Sequence, residues 1–128
     1  MKYLLDTHVL LWFFSSPEKL SETVRKIFLD NQSNLFLSWY SLWEITIKVS
    51  LGKLILAESW LELIESELQR NRIVLVNTTF SHLNELHKLP FHHRDPFDRM
   101  LISQAKVEKM TLLTSDRQIS KYDALTLW

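Results

Sequence analysis

Apolar residues along this chain fall into two kinds of run. Short blocks at Tyr3-Leu4-Leu5, Leu35-Phe36-Leu37, Ile73-Val74-Leu75-Val76, Thr111-Leu112-Leu113-Thr114 and Leu125-Thr126-Leu127 lack polar alternation, which is the pattern of strands buried on both faces. Between them the apolar positions take helical spacing. Ser21 opens a helix that runs to Asp30, Ser41 opens a second that Gly52 closes as a left-handed cap, and Ser59 opens a third that reaches Asn71. A further helix from Ser81 to Lys88 ends before Pro90, and the next takes Asp95 as its cap and Pro96 as its first residue. Ser41 with Glu44, and Ser59 with Glu62, have the spacing of a capping box. Strand and helix thus alternate through most of the chain. That order predicts an α/β fold with a mostly parallel central sheet of about five strands, covered by helices on both faces.

The chain has 128 residues, one glycine, no low-complexity stretch and no repeat, so residues 1–128 are expected to form a single domain. Cysteine is absent, which excludes disulfides, thiolate metal sites and cysteine nucleophiles. The longest apolar run near the start, Val9 to Phe14, is far short of the roughly 20 residues of a spanning helix, and a protein of the cytoplasm without membrane association is expected. Fifteen basic and fifteen acidic side chains give a net charge of +0. Attraction of a polyanion therefore has to come from a local basic patch rather than a global field.

The acids are placed more tellingly than they are numerous. Asp6 and Asp116 follow the first and fourth predicted strands, and ligand crevices in open α/β sheets lie at the carboxyl ends of strands. Glu44 and Asp98 each sit one turn into a helix. Carboxylates gathered at one place repel one another, and a divalent cation relieves that repulsion. An all-oxygen donor set suits Mg2+ or Mn2+ rather than zinc. Each acid also has a local explanation: Glu44 as the closing member of the Ser41 box and partner of Lys48, Asp98 as the acid of a box capped by Asp95, and Asp116 as the cap of a turn at Arg117. Asp6 has no such partner nearby in sequence. Arg94, Arg99 and Arg117 flank the acids and could grip phosphates, or form ordinary ion pairs with the same acids. Ser115 and Thr7 could hold a neighbouring carboxylate or water, or be turn residues. A zinc site at His87, His92 and His93 is disfavoured by the Pro90 turn and the want of a fourth ligand. Trp12, Trp43 and Trp60 fall among apolar helical neighbours, as core or interface residues do.

Four segments resemble the successive motifs of PIN domains, and more narrowly of VapC-type toxins: Leu4-Leu5-Asp6-Thr7-His8, Ser41-Leu42-Trp43-Glu44-Ile45, His93-Arg94-Asp95-Pro96-Phe97-Asp98-Arg99 and Leu113-Thr114-Ser115-Asp116-Arg117. They stand in the family's order and span nearly the whole chain. The resemblance implies a three-layer α/β/α fold and a Mg2+- or Mn2+-dependent endoribonuclease, inhibited by a cognate antitoxin that covers the cleft. It also implies a homodimer. By position, Asp6, Glu44 and Asp116 match the first, second and fourth family acids. Asp98 fits the third, since an apolar helix follows it, while Asp95 is the rival for that place. His8 departs from the asparagine common two positions after the first acid. Two other readings stay open: a phosphohydrolase with Asp6 as covalent nucleophile, and a non-catalytic module kept for protein contacts, for which Leu10, Trp12, Phe13 and Trp60 could supply an apolar face.

Overall fold

A computed structural model describes all 128 residues. The elements in chain order are β1 (Lys2–Leu5), α1 (Thr7–Ser15), α2 (Glu22–Leu29), β2 (Asn34–Ser38), α3 (Trp39–Ser50), α4 (Trp60–Arg70), β3 (Val74–Val76), α5 (Phe80–Lys88), α6 (Pro96–Glu108), β4 (Thr111–Leu113) and β5 (Thr126–Leu127). Short 3-10 turns lie at Pro17–Lys19 and Ile119–Lys121. All five strands are parallel, in the order β3-β2-β1-β4-β5.

Successive side chains of a strand point to opposite faces, and both faces are buried here. Leu5, Leu35, Leu37 and Leu113 face one way and pack with Val9, Leu10, Val24, Ile45, Ile64 and Leu68 of α1 to α4. Leu4 and Leu112 face the other way and pack with Leu101, Ile102 and Ala105 of α6, and with Ile119 and Tyr122. Two apolar cores separated by one sheet make the three-layer α/β/α architecture that the sequence pattern and the resemblance both predict.

Helix starts were less legible than strands. Ser21 caps α2 as expected, accepting from Val24 N at 3.1 Å, and Asp95 caps α6 through Phe97 N and Asp98 N at 2.9 and 3.2 Å. Ser41 does not open α3. The helix follows β2 with no loop, so the cap is the last strand residue, Ser38, whose hydroxyl accepts from Tyr40 N. Ser59 stands at the right boundary of α4 but makes no capping bond, so its box with Glu62 does not form. Ser81 lies inside α5, which is capped by Thr79 in a reciprocal box closed by the ring of His82. Gly52 does terminate α3 in the left-handed conformation, at φ +72°, with no atom within 4 Å of where a Cβ would stand. It is backbone freedom, not space, that requires glycine there. No helix is long and apolar enough to cross a membrane.

Candidate active site

The strand order reverses between β1 and β4: the chain winds outward from β1 through β2 to β3, then crosses to the other side of β1 for β4 and β5. In open parallel sheets a crevice forms at such a switch point, beyond the carboxyl ends of the two strands. Asp6 stands directly at the end of β1, and its backbone N–H continues the ladder to Leu113 O at 3.1 Å. Thr114 and Asp116 follow β4 across the same opening.

Asp6 is 5% exposed and caps no backbone group with its side chain, although it occupies the cap position of α1. Its Oδ2 accepts instead from Thr114 Oγ1 at 2.8 Å. Thr114 also receives Asp116 N–H at 3.1 Å, so one buried hydroxyl ties the first acid to the loop bearing the last. Burial pushes the Asp6 carboxyl above the usual range, and Glu44 and Asp116 add to this; the Thr114 bond and the nearby His8 oppose it. Glu44, also 5% exposed, accepts from Thr7 Oγ1 at 2.8 Å and from Lys48 Nζ at 2.8 Å. Thr7 in turn shares a 2.9 Å hydrogen bond with Ser41. The Ser41 to Glu44 spacing therefore serves a cross-link from α3 to α1, not a helix start. Lys48 has its pKa raised, chiefly by the hydrogen bond to Glu44 and further by Asp95 and Asp98.

Asp98, in the first turn of α6, has its carboxyl pushed up to about 8. Burial is the largest cause, followed by the charges of Asp95, Asp6, Glu44 and Asp116. The structure thus places Asp6, Glu44, Asp95 and Asp116 where their charges all act on Asp98. Asp95 commits Oδ1 to capping, as its local reading held. Asp116 accepts from Gln118 N at 2.8 Å, so it too shapes its own turn. Of the Lys and Arg side chains, Lys48 alone forms an ion pair with any of these acids.

Of the flanking residues, Arg94, Arg117 and Ser115 are exposed. Arg99 is not available to grip a phosphate. It is buried, donates to Pro90 O at 2.7 Å, Leu89 O at 3.3 Å and Tyr122 Oη at 3.0 Å, and lies over the Phe91 ring. Neighbours in sequence on a helix do not share a face, which is why Arg99 turns away from its neighbour Asp98. Leu10 is likewise removed from any docking face, being fully buried, whereas Trp43 is 56% exposed beside Phe97 rather than in the core.

No three His, Asp or Glu side chains close on a point tightly enough to form a metal shell by themselves. His87, His92 and His93 belong to no such shell. For a hard cation it is compatible, because Mg2+ keeps several of its waters and takes only one or two carboxylates directly. The oxygen donors, their mutual repulsion and the shortage of paired cations all fit a divalent ion at this place.

Thr114 carried no signal in the sequence beyond being a polar residue at a strand end, and Ser115 drew the attention instead. Thr114→Val keeps the shape and deletes the hydroxyl. We expect Mn2+ affinity to fall by about 10- to 100-fold, read by calorimetry, with Thr114→Ser close to the parent. Equal affinity in all three proteins would remove Thr114 from the site.

The PIN domain family model matches residues 3–125. No curated protein matches the sequence. Among solved structures, DNA-bound VapBC from Salmonella typhimurium is similar at TM-score 0.75 and 17% identity, covering 100% of this chain and 97% of that one. VapBC2 from Rickettsia felis, bound to a DNA fragment from its promoter, gives 0.72 and 16% over 99% and 98%. VapBC-1 from nontypeable Haemophilus influenzae gives 0.70 and 18% over 99% and 97%. At these identities the likeness is one of fold.

Proposed function

The chain belongs to the PIN domain family, and from that premise we propose that it is a divalent-metal-dependent endoribonuclease and the toxin of a toxin-antitoxin pair. The observation that carries the reading is the acid group at the switch point. Burial and the charges of Glu44 and Asp116 raise the pKa of Asp6, burial and the charges of Asp95, Asp6, Glu44 and Asp116 raise that of Asp98, and Lys48 alone among the lysines and arginines pairs with the set. In this reading Asp6 and Asp98 hold Mg2+ or Mn2+ directly, and Glu44 and Asp116 do so through water. Such an ion, when bound, supplies a Lewis acid for the phosphate and lowers the pKa of water toward neutrality. The chain's own part is to fix oxygens. Thr114 aims Asp6, Thr7 and Lys48 hold both oxygens of Glu44, and the exposed Arg94 and Arg117 meet flanking phosphates.

The proposal extends to partners. The similar VapBC structures are toxin–antitoxin complexes, two of them bound to DNA. Here an apolar groove of about 450 Å³, lined by Leu11, Phe13, Phe14, Leu56, Trp60 and Leu63, offers an antitoxin helix a seat away from the acids. A homodimer and action on cytoplasmic RNA complete the reading. The test is a 5′-labelled single-stranded RNA incubated with the protein in Mn2+, Mg2+ or chelator. Metal-dependent products cut inside the strand are expected. Cleavage that survives the chelator, or a protein that neither cuts nor binds Mn2+ at millimolar concentration, would overturn it.

A further inference from the structure

The segment between α5 and α6 is held by hydrogen bonds that the chemistry above does not use. Tyr122, buried beyond β4, presents its phenolic oxygen to three nitrogens: Arg99 Nη1 at 3.0 Å, the backbone N of His93 at 3.2 Å and His93 Nδ1 at 2.9 Å. The first two can only donate, since a guanidinium keeps its protons and a peptide N–H has no other role. Together they fill the lone pairs of the phenol oxygen. A proton on Nδ1 would bring a third donor to an oxygen with no acceptor site left. Nδ1 must therefore accept, and it takes the phenolic proton in preference to His93 O, which lies farther off at 3.3 Å. An imidazole that accepts at Nδ1 carries its hydrogen on Nε2. That nitrogen is 3.3 Å from Asp98 Oδ2.

We infer that His93 is a positioning residue for Asp98: Tyr122 and Arg99 lock its ring in the Nε2–H form, and that N–H holds one carboxyl oxygen so that the other is presented to the crevice. The bond is 3.3 Å between side chains that are 16% and 15% exposed, so water competes for it only weakly. Arg99 makes the arrangement rigid from both ends, because it binds the carbonyls of Leu89 and Pro90 in the loop that carries His93 and is itself the residue after Asp98. The geometry matches the pattern in which a second group fixes the orientation of a metal-holding side chain.

This role rests on Asp98 belonging to the cation-holding set, and the experiments separate the two claims. In the metal-free protein, long-range proton–nitrogen NMR is expected to find His93 as the Nε2–H tautomer, and to find that tautomer lost or mixed in Tyr122→Phe. A proton on Nδ1 in the unaltered protein overturns the link whatever the metal does. Calorimetry with MnCl2 is then run on His93→Leu and His93→Gln. Glutamine can place an amide N–H near the former Nε2, so its affinity should stay within about threefold of the parent while leucine loses on the order of tenfold or more. Equal affinity for leucine, or equal loss in both, overturns the positioning role. Failure of the unaltered protein to bind Mn2+ overturns the metal reading and the role of His93 in it, while the tautomer still reports on the link.

Discussion

Asp6→Asn is expected to abolish RNA cleavage, with kcat falling on the order of 10³-fold or more. Asparagine matches the shape of aspartate and retains an oxygen to accept from Thr114 Oγ1, so the contact at 2.8 Å has a replacement. It lacks the charge that a cation needs. Burial and neighbouring acids already hold the Asp6 carboxyl above its ordinary range, so neutralising it removes a repulsive group from the folded state. The variant should therefore melt at or above the temperature of the parent while losing activity. Loss of activity with a lowered melting temperature would point to a folding defect. Cleavage within tenfold of the parent would take Asp6 out of the chemistry.

The second large effect is one of pH, at Asp98. Its carboxyl is pushed up to about 8 in the folded chain, whereas an unfolded aspartate titrates near ~3.9. Between those values the native state keeps a proton that the unfolded state has released. The contribution of Asp98 to stability is therefore fully present below pH ~4 and is lost as the pH rises through about 8. At about 1.36 kcal/mol per unit, the full span corresponds to roughly 6 kcal/mol as an upper bound. Asp98→Asn has no charge to lose. Without metal, its melting temperature should exceed the parent's by on the order of 10 °C near pH 8.5 and by little near pH 5. Mn2+ should raise the melting temperature of the parent most at the alkaline end and leave Asp98→Asn nearly unmoved, since ligand binding stabilises only the state that binds. A parent that gains stability from pH 5 to 8.5 without metal would contradict the burial of this carboxyl.

The strands and the placement of acids at their ends were legible because both are local patterns. A doubly buried strand declares itself in four residues, and Asp6 stood out because nothing near it in sequence explained it. Glu44 shows the opposite case. Its local account, an ion pair with Lys48, is real, and its capping box is not; neither reveals that Thr7, 37 residues away in sequence, holds its other oxygen. Thr114 and Asp6 are 108 residues apart, and Tyr122 and His93 are 29 apart. Contacts of that kind leave no period or spacing behind. Arg99 misled for a related reason: adjacency in sequence suggested a shared site, while helical geometry sends consecutive side chains to different faces.

The central position of β1 has a consequence in time as well as in space. β1 is made before β4 and must wait for it, since their register pairs Tyr3 with Thr111 and Leu5 with Leu113. Loops of that length close slowly, and the pairing that depends on them is gained late in folding. Asp6 meets Thr114 only when that pairing forms. A nascent chain carrying β1 to β3 already holds Asp6 and Glu44, yet lacks Asp98, Asp116 and the hydroxyl that aims Asp6. A chain built in this order completes its acid group only once β4 and the turn that follows it have been made.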